Sequence, residues 1–117
     1  MKRAWLLALL ALCSCNPTIA GTWTGRLESP NAVGVRFTIE ERHGQLTGRT
    51  FWEDPVSHQL EPEGTLIGKS ENHDASWLTE GSVAVSGTFD GDHFVGTLTF
   101  PAEGDAPARA VPLKLSR

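Results

Sequence analysis

The sequence predicts an all-β protein: a single small antiparallel up-and-down β-barrel of about eight strands, behind a cleaved N-terminal signal helix. Three observations predict it. From Ile19 onward apolar residues recur at every second position, and no window carries a helical period. Turn signals cut this alternation into strand-length pieces. A five-residue pattern centred on glycine recurs along the chain, and glycine inside a strand marks a sharp bend or a close backbone approach.

In chain order, Trp23, Gly25 and Leu27 alternate against Thr22, Thr24 and Arg26. Val33, Val35, Phe37 and Ile39 alternate against Gly34, Arg36, Thr38 and Glu40, the pattern of a half-buried strand. His43-Gly44 reads as a tight turn into a strand over residues 45–52. Pro55 and Pro62 then break the pattern; residues 65–69 read as a strand, 71–74 as a turn, and 75–79 as a further strand. Val83, Val85, Gly87 and Phe89 alternate up to Asp90-Gly91-Asp92, a hairpin turn of the Asp-Gly type. Phe94, Gly96, Leu98 and Phe100 return on one face, and Val111, Leu113 and Leu115 close the chain.

The repeat has the forms Trp23-Thr24-Gly25-Arg26-Leu27, Leu46-Thr47-Gly48-Arg49-Thr50, Val85-Ser86-Gly87-Thr88-Phe89 and Phe94-Val95-Gly96-Thr97-Leu98. Its recurrence, with Gly68 between, points to a sheet that coils tightly enough to close. Closure also removes free edges, so the first and last strands are expected to pair. The alternative arrangement of the same strands is a β-sandwich.

The N-terminus carries a different signal. Lys2 and Arg3 precede an apolar run over residues 4–12, about half of the roughly 20 residues that span a bilayer. This is the layout of an export signal rather than a membrane anchor. Leu12-Cys13-Ser14-Cys15 resembles the lipobox of bacterial lipoproteins, with an aliphatic residue at −3 and a small one at −1 before Cys15. Cys13 is the competing acceptor, with Leu12 at −1; an ordinary cleaved signal peptide, leaving a soluble periplasmic or secreted protein, is the plainer alternative. The resemblance implies cleavage before Cys15, a diacylglyceryl thioether on its sulfur and an acylated α-amine. Two or three acyl chains anchor durably where one does not. Asn16, in place of the Asp that retains enterobacterial lipoproteins at the inner membrane, implies an outer-membrane protein facing the periplasm or exterior. The expected organisation is a signal peptide over 1–14, a lipidated cysteine and tether over 15–20, and a barrel over 21–117.

Without Lys2 and Arg3, the net charge of the 117-residue chain falls from −4 to −6. Such a surface repels nucleic acid and anionic lipid, and no Lys/Arg cluster offsets it. With Cys13 removed and Cys15 modified, no disulfide forms, so the core alone holds the fold.

Gly21-Thr22-Trp23 ahead of a strand meander resembles the opening of lipocalins and avidins, barrels of calycin type. The resemblance implies that Trp23 plugs one barrel end and that an Arg from near the chain terminus stacks on it. Arg117 and Arg109 are the two candidates, with Arg117 the better placed. The likeness is architectural: there is no Tyr in the chain for the motifs of lipocalins, avidins or the lysozyme-inhibiting lipoproteins, and Gly25 stands where avidins place a biotin-binding Asn.

Catalytic and metal signatures are sparse. His43, His58, His73 and His93 fall mostly in turns, with neither the i, i+2 nor the i, i+4 spacing of shared ligation. Asp90-Gly91-Asp92 lacks the remaining ligands of a calcium loop. No nucleophile elbow is present, and Glu61 and Glu63, expected to share a face around Pro62, have no apolar neighbours to raise a carboxyl pKa. The expectation is a non-enzymatic protein with no cofactor and no metal, whose partners are the membrane through its lipid and a small apolar ligand or an envelope protein. Trp52 and Trp77, each beside a break in the pattern, are the candidate ligand-binding aromatics at a barrel mouth; the alternative is that both fill the core. An envelope-accessory lipoprotein with a filled barrel and no ligand is the second reading, and a hydrolase the third.

Overall fold

The computed structural model describes residues 19–27 and 33–117. The signal segment and Cys15 therefore lie outside the described residues. Eight strands follow in order: β1 (Gly21–Leu27), β2 (Gly34–Arg42), β3 (Gln45–Glu53), β4 (Leu60–Glu71), β5 (Asp74–Thr79), β6 (Ala84–Asp90), β7 (His93–Phe100) and β8 (Arg109–Ser116). Each pairs antiparallel with the next, and β8 returns to β1 with Leu113 opposite Leu27 and Ser116 opposite Thr24. The barrel is closed, which excludes the sandwich.

The alternation read from the sequence becomes the inner wall. Trp23, Val35, Phe37, Ile39, Leu46, Leu66, Val85, Phe89, Leu98, Val111, Leu113 and Leu115 are all buried. The strand glycines let the sheet coil. Gly87 pairs directly with Gly96, and the Phe94 ring packs where a Cβ on either would lie. A Cβ on Gly68 would run into the Ser76 carbonyl and the Trp77 backbone.

β4 differs from its sequence reading. It begins at Leu60 and runs through Pro62, because a bulge opposite Thr50 and Phe51 takes Glu63 out of register. Glu61 and Glu63 therefore do not share an uninterrupted strand face. β5 pairs only from Leu66 onward, so the start of β4 is bonded to β3 alone. Such an edge tolerates a proline, and Glu61, Pro62 and Glu63 blunt it against pairing with other strands.

The two barrel ends are unlike. Tight hairpins at His43-Gly44, Asn72-His73 and Gly91-Asp92 gather with the chain entry at Ile19 and its exit at Arg117. His43 and Gly44 both have positive φ, 53° and 81°, as a two-residue hairpin turn requires. Among the described residues, longer connections over 54–59, 80–83 and 101–108 surround the opposite end, the mouth.

Candidate functional site

Trp23 seals the end away from the mouth. Its indole Nε1 donates to the Ile19 carbonyl at 2.8 Å, and its ring meets Phe89 edge-on at 4.6 Å. The Arg117 guanidinium lies 4.6 Å from the Trp23 ring centroid. It also donates to the Ala20 carbonyl at 2.9 Å and to the Asp92 carboxylate at 3.1 Å. Arg109, the other stacking candidate, is at the mouth, 5.3 Å from the Phe100 ring.

Trp77 is only 3% exposed and stands in an aromatic cluster, with Phe37 at 5.2 Å, Phe94 at 5.3 Å and Phe89 at 6.2 Å. Together with Trp23 these rings fill the sealed half of the interior. Trp52 is half-buried at the mouth and packs against the core, its ring 6.2 Å from that of Phe100. The structure thus pairs Trp52 with Phe100 and leaves Trp77 among core rings. Phe51 turns to the outer wall, opposite Pro62 and Arg36.

Below Trp52 on the same inner face, Thr50 is buried at 1% exposure, and its Oγ1 has no hydrogen-bond partner among the described residues. The Trp77 Nε1 is in the same position. Val83 packs against the core from the 80–83 turn. The candidate site at the mouth therefore comprises Trp52 and Phe100, with Thr50 two residues before Trp52 on β3 and Arg109 beside the Phe100 ring.

The rim is organised by two carboxylates. Glu53 accepts the Gly34 N–H at 2.9 Å and the Arg26 guanidinium at 3.3 Å, with His58 at 3.8 Å. The Gly34 N–H, and then the charges of Arg26 and His58, outweigh partial desolvation and hold the Glu53 carboxyl below the usual glutamate range. Asp54 is lowered likewise by the Ser57 and Val56 N–H groups, at 2.9 Å and 2.7 Å. These bonds tie the 54–59 loop to the end of β3.

His43, His73 and His93 occupy the hairpins at the sealed end, and His58 lies at the mouth. Among the described residues no three His, Cys, Asp or Glu side chains converge as a metal site. The sequence reading did not single out Phe100 or Thr50. Phe100 could have been found as the last apolar residue of an alternating strand before a proline. Thr50 is a polar residue at an inward position, where Leu or Val would continue the pattern. The chain matches no protein-family model, no curated protein and no solved structure.

Proposed function

We propose that this chain is a lipid-anchored, non-enzymatic barrel lipoprotein of the cell envelope, of calycin-like architecture, whose mouth receives a small apolar ligand. One observation carries the ligand reading: Trp52 and Phe100 stand half-buried at the end opposite the one where Arg117 stacks on Trp23. Aromatic faces left partly in water at the rim of a closed scaffold are the usual makings of such a site. The lipobox-like run ending at Cys15 carries the anchoring.

The ligand reading is tested with the full chain reconstituted in vesicles. Once the signal is removed, Trp23, Trp52 and Trp77 are the fluorophores, without interference from Tyr. Titration with small apolar and sugar-like compounds should shift the emission, and Phe100→Ala should weaken the response at least tenfold. The anchor is tested by labelling with a palmitate analogue, which Cys15→Ala should abolish.

The aromatic packing around Trp77 favours a second reading, a filled barrel acting as an envelope accessory. Emission unmoved by every compound would select it.

A further inference from the structure

On the outer wall, the strand register assembles a feature that no single strand shows. Thr47 pairs with Ile67, Ile67 with Leu78, Leu78 with Ala84, Ala84 with Thr99 and Thr99 with Ala110. This outward row crosses six strands without one charged side chain. The row beneath it, through Gln45, Lys69, Ser76, Ser86, Thr97 and Pro112, holds a single charge. The wall of β1–β3, by contrast, presents Arg26, Arg36, Arg49, Glu40 and Glu53. At the centre of the neutral band Ile67 is 69% exposed and Leu78 52%, side by side, and a shallow depression runs past them towards Ser76 and Ser86. Exposed aliphatics this large normally occur singly.

We infer that this flank is where a second copy of the chain docks, side by side in the plane of the membrane. Charge selects the occupant. Two copies carrying net negative charge repel across most of their surface. The neutral band lets them meet without that repulsion, and it offers a cationic partner nothing to hold. A two-fold axis between β4 and β5, parallel to the barrel, lays Ile67 of one copy on Leu78 of the other and Lys69 on Ser76, a self-complementary contact.

The position of the chain start agrees, on the reading that Cys15 is lipidated. Ile19 enters at the sealed end, four residues after Cys15, a reach of at most about 14 Å. Anchored copies therefore stand on their sealed ends and turn their flanks to one another. Four strands about 4.8 Å apart and two outward rows, four residues of about 3.3 Å, make a wall of about 19 by 13 Å. The resulting footprint of about 250 Å² per copy is about a third of that of a standard interface. Contact is accordingly weak in solution and strengthened by the high local concentration of a shared membrane.

The test uses the full chain in its own membranes, with Ser76→Cys and a short bis-maleimide, and with palmitate-analogue labelling read on the same gel. A labelled covalent dimer is expected, reduced at least tenfold by Ile67→Glu or by Leu78→Glu, both exposed positions whose variants should keep the native far-UV spectrum. Thr22→Cys, on the opposite wall, should give no dimer. Equal cross-linking from Thr22→Cys, indifference to both Glu variants, or a Ser76→Cys adduct to some other envelope protein alone would overturn the inference. If no label enters, the anchor reading fails separately. Sedimentation of that soluble chain near millimolar concentration then decides: a dimer lost in Ile67→Glu sustains the flank contact, and a monomer ends it.

Discussion

Removing Arg117 tests whether the sealed end is a structural plug. Its guanidinium stacks on Trp23, donates to the Ala20 carbonyl and pairs with Asp92, while its own N–H reaches the Asp92 carbonyl at 3.2 Å. The side chain is 23% exposed, so the stacking is partly desolvated and is worth about 1 kcal/mol or more. The hydrogen bond to Ala20 adds about 1 kcal/mol. Asp92 is 71% exposed, and its ion pair adds only a few tenths of a kcal/mol at most, by roughly the surface-pair rule. Arg117→Ala should therefore cost about 2 kcal/mol, or about 10 °C in the thermal midpoint of a domain this size. The assay is far-UV circular dichroism melting, with Asp92→Ala and Arg117→Lys alongside. Asp92→Ala should shift the midpoint by no more than about 2 °C. Arg117→Lys keeps the charge but loses the planar fork, and should fall between Ala and wild type. An Arg117→Ala midpoint within about 2 °C of wild type would refute the reasoning.

Three further outcomes follow from core and rim. Because the folded-state pKa of Glu53 is depressed, its contribution is complete above the ordinary glutamate range and disappears as pH falls through that range to the folded value; urea midpoints against pH should drop less steeply in acid for Glu53→Gln than for wild type. Trp77→Ala empties the aromatic cluster and should cost about 3–5 kcal/mol by urea denaturation. Gly68→Ala forces a Cβ into the Ser76 carbonyl and should cost about 3 kcal/mol, read from the same denaturation curves.

Much of the fold was legible because a barrel writes its inner wall as strict alternation. Val35, Phe37 and Ile39 announce β2 by spacing alone, and the Gly-centred repeats announce the coiling that Gly87 and Gly96 provide by facing each other. The start of β4 was not legible. Pro62 reads as a break in a one-dimensional pattern, whereas the fold accepts it on an edge beside a bulge. The mouth was half legible for a related reason. Trp52 stands out by its residue type, but its partner Phe100 is four strands away in sequence order and looks like any other inward residue of β7. Trp77 carried the same chemical signal as Trp52, yet its two-residue spacing from Ala75 and Thr79 set it facing the core. Aromatic type suggests a site; only the height of the residue along the barrel decides whether it is one.

That height separates the two halves of the interior. The sealed half is made of rings, where Trp23, Phe37, Trp77, Phe89 and Phe94 contact one another within 4.6–6.2 Å. The mouth half relies on smaller side chains, among them Val35, Leu66, Leu98 and Val111, and the Thr50 hydroxyl is buried on the inner face of β3 opposite Phe37. A buried hydroxyl without a partner costs about 1–3 kcal/mol, a sizeable share of what holds a domain of this length together. Selection for packing alone favours an aliphatic residue at that position. On the ligand reading proposed above, the Thr50 hydroxyl, two residues before Trp52 on the inner face of β3, is the polar group that would orient an apolar guest.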